Sequence, residues 1–102
     1  MPFTQPNRFA FTASSIKAHA PNASGLYGIF NTARWIYIGE SNDIQQDLLE
    51  HLSPANTCIK RCHPTGFTFE LQPGPFRMVR QSLLIRELGT LCNGKDGLKG
   101  PA

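Results

Sequence analysis

Two tyrosines end and begin mirror-related triplets, Gly25-Leu26-Tyr27 and Tyr37-Ile38-Gly39, separated by the nine residues 28 to 36. Each triplet lies in a run rich in aromatic and β-branched residues, so the two phenols either pack across paired strands or line a shared site. Asp47 and His51 stand four residues apart. On a helix they would share a face, an exposed pair worth roughly 0.3 kcal/mol. Cys58, Cys62 and His63, with Cys92 further on, offer four potential zinc ligands. Their spacing is outside the common zinc-finger patterns and adjacent Cys62 and His63 converge poorly, so ordinary thiols and a loop histidine are expected. Arg77, Arg80, Lys60 and Arg61 could bind phosphate groups, or form a solvated basic surface.

These residues belong to a chain of 102 residues with 40% apolar and 17% charged content, nine glycines and eight prolines. That composition describes a loop-rich globular chain, and the length predicts one domain over 1–102 with a flexible tail at 94–102. The apolar stretches are too short for a membrane span. The first dozen residues lack the apolar segment of a secretory signal. Three cysteines cannot all pair within one chain, and without an export signal they read as free thiols in a reducing cytoplasm. The net charge of +3 is unevenly spread: residues 1–52 carry three basic and four acidic side chains, residues 53–102 seven and three. Any electrostatic footprint for a polyanion therefore falls in the second half.

The elements that must position the candidate residues follow from local pattern. Residues 1–24 read as polar and loop-like, with Phe9 and Phe11 as anchors. Residues 25–30 and 35–39 read as two strands joined by the turn residues Asn31 to Arg34, an antiparallel hairpin. A helix follows, with Asn42 as N-cap and Gln45 completing a capping box. Ile44, Leu48 and Leu52 give it an apolar face, and Ser53-Pro54 ends it. Residues 55–66 read as irregular, and residues 67–71 alternate as a third strand. Pro75 suits the first position of a last helix. That helix runs from Phe76 to Leu88, with Phe76, Val79, Leu83 or Leu84, and Leu88 on one face. The order β-β-α-β-α predicts an α+β fold with a small three-stranded antiparallel sheet flanked by helices.

The paired triplets resemble the motif that names the GIY-YIG nuclease superfamily. Residues 37–44, followed by Leu48 and His51, are similar to its second strand, loop and first helix, and Ile85 and Asn93 to its later landmarks. The likeness spans residues 24–93 and resembles in particular the catalytic domain of bacterial excinuclease C subunits. The resemblance implies a hydrolytic site acting on the phosphodiester backbone of DNA, with Mg²⁺ or Mn²⁺ as cofactor. It places Tyr27 and Tyr37 at the motif tyrosines beside the scissile phosphate, one of which helps deprotonate the attacking water. It places His51 at a position often held by His, and Asn93 at the supporting Asn.

Two positions depart from the pattern. The family's phosphate-stabilising Arg falls at Asp47, and its metal-binding Glu falls at Gln81. A phosphodiester transition state gains negative charge and needs fixed positive charge beside it. Asp47 brings the opposite sign, and Gln81 offers a cation no charge where Mg²⁺ prefers carboxylates. The expectation is a GIY-YIG-like domain with impaired or lost hydrolysis that retains DNA binding. Two alternatives stand beside it. One is a non-catalytic module that uses the scaffold to bind a protein partner. The other is an active, rewired nuclease in which Asp47 faces Gln81 across the cleft and supplies the missing carboxylate, with Arg80 or Arg77 as the cation.

Overall fold

A computed structural model describes residues 8–52, 57–72 and 76–93. The elements are β1 (Phe9–Ala10), α1 (Ala13–His19), β2 (Gly25–Phe30), β3 (Trp35–Ser41), α2 (Ile44–Glu50), α3 (Thr57–Arg61), β4 (Gly66–Leu71) and α4 (Phe76–Leu88). The fold is α+β, as its pattern predicts, and the sheet is antiparallel in the order β1-β4-β2-β3. The two-residue strand β1 adds a fourth strand to the three expected. The expected helix stop at Ser53-Pro54, the Pro75 start and the tail at 94–102 lie outside the described residues.

The β2–β3 hairpin is closed by Asn31. Its side-chain oxygen accepts hydrogen bonds from the backbone N–H groups of Ala33 and Arg34, at 2.8 and 2.7 Å, the local bonding that suits Asn to turns. Ile29 then pairs with Tyr37 and Phe30 with Trp35, which leaves Ile36 without a partner on β2. This bulge sends Ile36 and Tyr37 into the same cluster while Trp35 packs on the other side.

Period-two alternation sorts the strands into two faces. Tyr27, Ile29, Ile36, Tyr37 and Phe67 pack with Ile16 of α1, Ile44 and Leu48 of α2 and Ile59 of α3. Leu26 and Ile38 face the other way and pack with Leu84, Ile85 and Leu88 of α4.

Several local expectations are corrected. Residues 9–20 are not a loop: Thr12 caps α1, its hydroxyl accepting from the Ser15 N–H at 3.2 Å. The helix was hidden because Ile16 is the one buried residue among its seven. Residues 57–61 form α3 rather than irregular chain. Asp43, not Asn42, caps α2 and accepts from the Gln46 N–H at 3.1 Å. Gln45 instead donates to the Ala20 carbonyl at 2.9 Å, tying α2 to the end of α1. The inward face of α4 is also turned. Phe76, Val79 and Leu83 are exposed, while Gln81, Leu84, Ile85 and Leu88 face the sheet.

Candidate functional site

Tyr27 and Tyr37 stand on neighbouring strands with ring centroids 6.1 Å apart. They are buried on the face covered by α1, α2 and α3. Gly39 is the cross-strand partner of Tyr27. A Cβ at Gly39 would overlap the Tyr27 ring near its hydroxyl, so the glycine provides the clearance in which that phenol lies. His51, at the end of α2, closes the group. Its Nε2 lies 2.7 Å from the Tyr27 hydroxyl, and its ring is 5.0 Å from that of Tyr37. The Tyr37 hydroxyl is buried and meets no hydrogen-bond partner among the described residues. A buried hydroxyl without a partner is a departure from the rule that buried polar groups are hydrogen-bonded.

Asp47 lies one turn before His51, and its backbone carbonyl accepts from the His51 N–H. The electrostatics of the group are negative. Burial pushes the Tyr27 phenol well above its ordinary value, with Tyr37, Asp47, Glu50 and Glu40 adding in the same direction. Burial likewise raises Tyr37, assisted by Asp47 and Glu40. Both phenols are held in the protonated form at neutral pH.

Gln81 and Asn93 converge instead on the backbone of Ile38, next to Tyr37. The Gln81 amide donates to the Ile38 carbonyl at 3.0 Å. Asn93 donates to the same oxygen at 2.8 Å, and its side-chain oxygen accepts from the Ile38 N–H at 2.8 Å. Asn93 thus replaces a neighbouring strand at the edge of β3. The N–H groups of Leu91 and Cys92 continue the arrangement, donating to the carbonyls of Trp35 and Ile36.

The four basic candidates do not form one cluster. Lys60 and Arg61 are exposed on α3, the helix that packs on the tyrosine face. Arg77 and Arg80 project from α4 toward a row on the opposite face, where Glu40, Leu26 and Glu70 lie side by side across β3, β2 and β4. Arg80 grips buried Glu70 through two bonds, Nε to Oε2 at 2.8 Å and Nη2 to Oε1 at 3.0 Å. Arg77 donates to the Ser41 carbonyl, with its Nε 3.9 Å from Glu40. Sequence reasoning missed Glu70 and Glu40 as partners. The alternation of Phe67-Thr68-Phe69-Glu70 held the signal, because it puts Glu70 opposite the phenylalanines.

The cysteines also depart from expectation. Cys58 and Cys92 form a disulfide, so they are not free thiols, and Cys62 is the free one. The unforeseen helix α3 is the cause. It puts Cys58 and Cys62 one turn apart, facing the segment that lies along β3.

The hairpin, its tyrosine pair and the enclosing helices define the GIY-YIG endonuclease fold. Solved structures of the GIY-YIG N-terminal endonuclease domain of UvrC from Thermotoga maritima share it. A tyrosine-to-phenylalanine mutant bound to its catalytic divalent cation matches with a TM-score of 0.67 and 20% identity, over 78% of this chain and 96% of that one. A second such mutant, also with its cation, gives 0.67 at 19% identity over the same shares. An asparagine-to-alanine mutant with its cation gives 0.63 at 20% identity, over 74% of this chain and 90% of that one. No protein-family model matches the sequence, and no curated protein matches it significantly. Among the described residues, no helix is long and apolar enough to cross a membrane.

Proposed function

We propose that this chain is a GIY-YIG endonuclease-like domain that contacts DNA but has impaired or lost metal-dependent phosphodiester hydrolysis. The observation that carries this reading is the state of Gln81. Where the family resemblance puts a metal-binding carboxylate, a neutral amide donates to the Ile38 carbonyl. At that position the chain offers Mg²⁺ or Mn²⁺ an amide oxygen but no charge, a poor fit for an ion that prefers carboxylates. The second departure reinforces the first. Asp47 adds negative charge where phosphoryl oxygens would accumulate it, and it raises both phenols rather than easing their deprotonation. Each lost electrostatic group of this kind costs on the order of 10²–10³ in rate.

A plasmid-nicking assay with Mg²⁺ and with Mn²⁺ tests the reading. The expected result is no cleavage above the metal-free control, and cleavage gained in the double variant Asp47→Arg with Gln81→Glu. Robust cleavage by the native chain that vanishes in Tyr27→Phe refutes it. If the double variant instead destroys an existing activity, the rewired site using Asp47 is the better account.

At the margin of a site whose own acids, Glu40, Asp47 and Glu50, disfavour a phosphate, the exposed Lys60 and Arg61 are the basic side chains we propose for DNA contact. Affinity for DNA should fall steeply with salt, and replacing both by Ala should lower the slope by about two. A protein-binding module is favoured by the exposed apolar stripe of Phe76, Met78, Val79 and Leu83 on α4. Absence of DNA binding even at low salt would select it.

A further inference from the structure

The sulfur atoms of Cys58, Cys62 and Cys92 lie within 4.8 Å of one another. Two of them form the disulfide, and Cys62 Sγ stands 3.8 Å from Cys92 Sγ. A disulfide explains the approach of two sulfurs but not of the third. Thiolates bind zinc at about 2.3 Å in a tetrahedral arrangement, which separates neighbouring sulfurs by about 3.8 Å. Cys62 and Cys92 already have that separation. Once Cys58 and Cys92 are reduced, a shift of under about 2 Å brings Cys58 to the third corner.

We propose that the reduced chain binds one Zn²⁺, or another thiophilic divalent ion, through Cys58, Cys62 and Cys92, with solvent at the fourth corner. The unusual ligand spacing is no obstacle in this fold. Cys58 lies on α3 and Cys62 in the turn that directly follows it, and Cys92 reaches them from the segment along β3. All three are half-buried, which leaves an entry path for the ion. His63 follows Cys62 directly and is exposed, and it does not belong to the sulfur group. The ion would fasten α3 to a segment whose Cys92 N–H donates to Ile36 and whose Asn93 holds Ile38. It would therefore brace the backbone on both sides of Tyr37. Loading exchanges three thiol protons for the cation. The ion and the disulfide exclude each other, since both require the sulfurs of Cys58 and Cys92.

The test uses the full chain reduced by a phosphine, which converts the disulfide to two thiols and is itself oxidised to the phosphine oxide with oxygen from water. Titration with Co²⁺ under anaerobic conditions should show one ion per chain. Thiolate-to-cobalt charge transfer and tetrahedral d–d bands should appear and be bleached by one equivalent of Zn²⁺. Cys62→Ser retains Cys58 and Cys92, so its oxidised form checks folding. Reduced, it should bind Co²⁺ more than about 100-fold more weakly, a larger loss than an outer-shell change causes. The proposal is overturned if the reduced native chain develops no charge-transfer band. It is equally overturned if the Cys62→Ser protein binds as tightly, or if the spectrum is that of an octahedral, oxygen-ligated ion.

Discussion

On the tyrosine face of the β2–β3 hairpin, Tyr27 meets His51, while Tyr37 keeps a buried hydroxyl without a described partner. On the α4 face, Arg80 holds Glu70, Arg77 holds Ser41 and lies near Glu40, and Gln81 holds Ile38. Both faces are built from polar groups that could serve a phosphate and a cation. One leaves the buried Tyr37 hydroxyl without a described partner, whereas the other has tied its charges and amide to the protein. The difference teaches that polar and charged groups on one sheet can take opposite parts, a phenol–imidazole pair on one face and ties between helix and strands on the other.

The contrast is most strongly broken at Arg80. Arg80→Ala leaves the Glu70 carboxylate buried and without its bidentate partner, and should cost about 3 kcal/mol in urea unfolding. A loss near zero would mean that α4 is not held by this pair. Gly39→Ala attacks the other face. Its methyl group overlaps Tyr27, so the phenol must move away from His51, and overpacking should cost about 2 kcal/mol. Tyr27→Phe is milder, about 1 kcal/mol for the lost hydrogen bond to His51. Its effect on stability should be well below that of Arg80→Ala, since a single neutral hydrogen bond is lost rather than the partner of a buried charge.

The smallest effect at neutral pH grows in alkali. Both phenols are raised from the ordinary value of 10.0, so the native state keeps protons that the unfolded chain releases. Their contribution is fully present below pH 10 and is lost as pH rises above it, by up to about 1.4 kcal/mol per phenol per pH unit. The chain has two tyrosines, both in this site, so tyrosinate absorbance reads the site alone. Native protein should show no tyrosinate near pH 10, and its appearance should coincide with unfolding. Titration at the ordinary value while the chain stays folded would contradict the buried geometry.

How much of this was legible in the sequence depended on whether the determinant was local. The hairpin was readable because β-branched and aromatic runs flank the turn-forming Asn31, and α4 has the bounds its pattern predicts. The inward face of α4 was only partly readable. Apolar spacing nominated Phe76, Val79, Leu83 or Leu84, and Leu88; of these Leu84 and Leu88 dock, and the docking side also carries Arg77 and Gln81, whose partners lie on strands up to 43 residues away. Helix α3 was hidden by its five-residue length, although Cys58 and Cys62 at i and i+4 were a clue. The tyrosine pair was visible from its triplets. The place of His51 against Tyr27 depends on how α2 crosses the sheet, which no local pattern encodes.

The lining of β3 by Leu91 to Asn93 has a consequence for association. An exposed strand edge is a template on which another chain can add its own strand. Here the outward carbonyls of Trp35, Ile36 and Ile38 already receive donors from within the molecule. A chain ending before Leu91 would uncover that row. Light scattering should then detect self-assembly that the longer chain does not undergo.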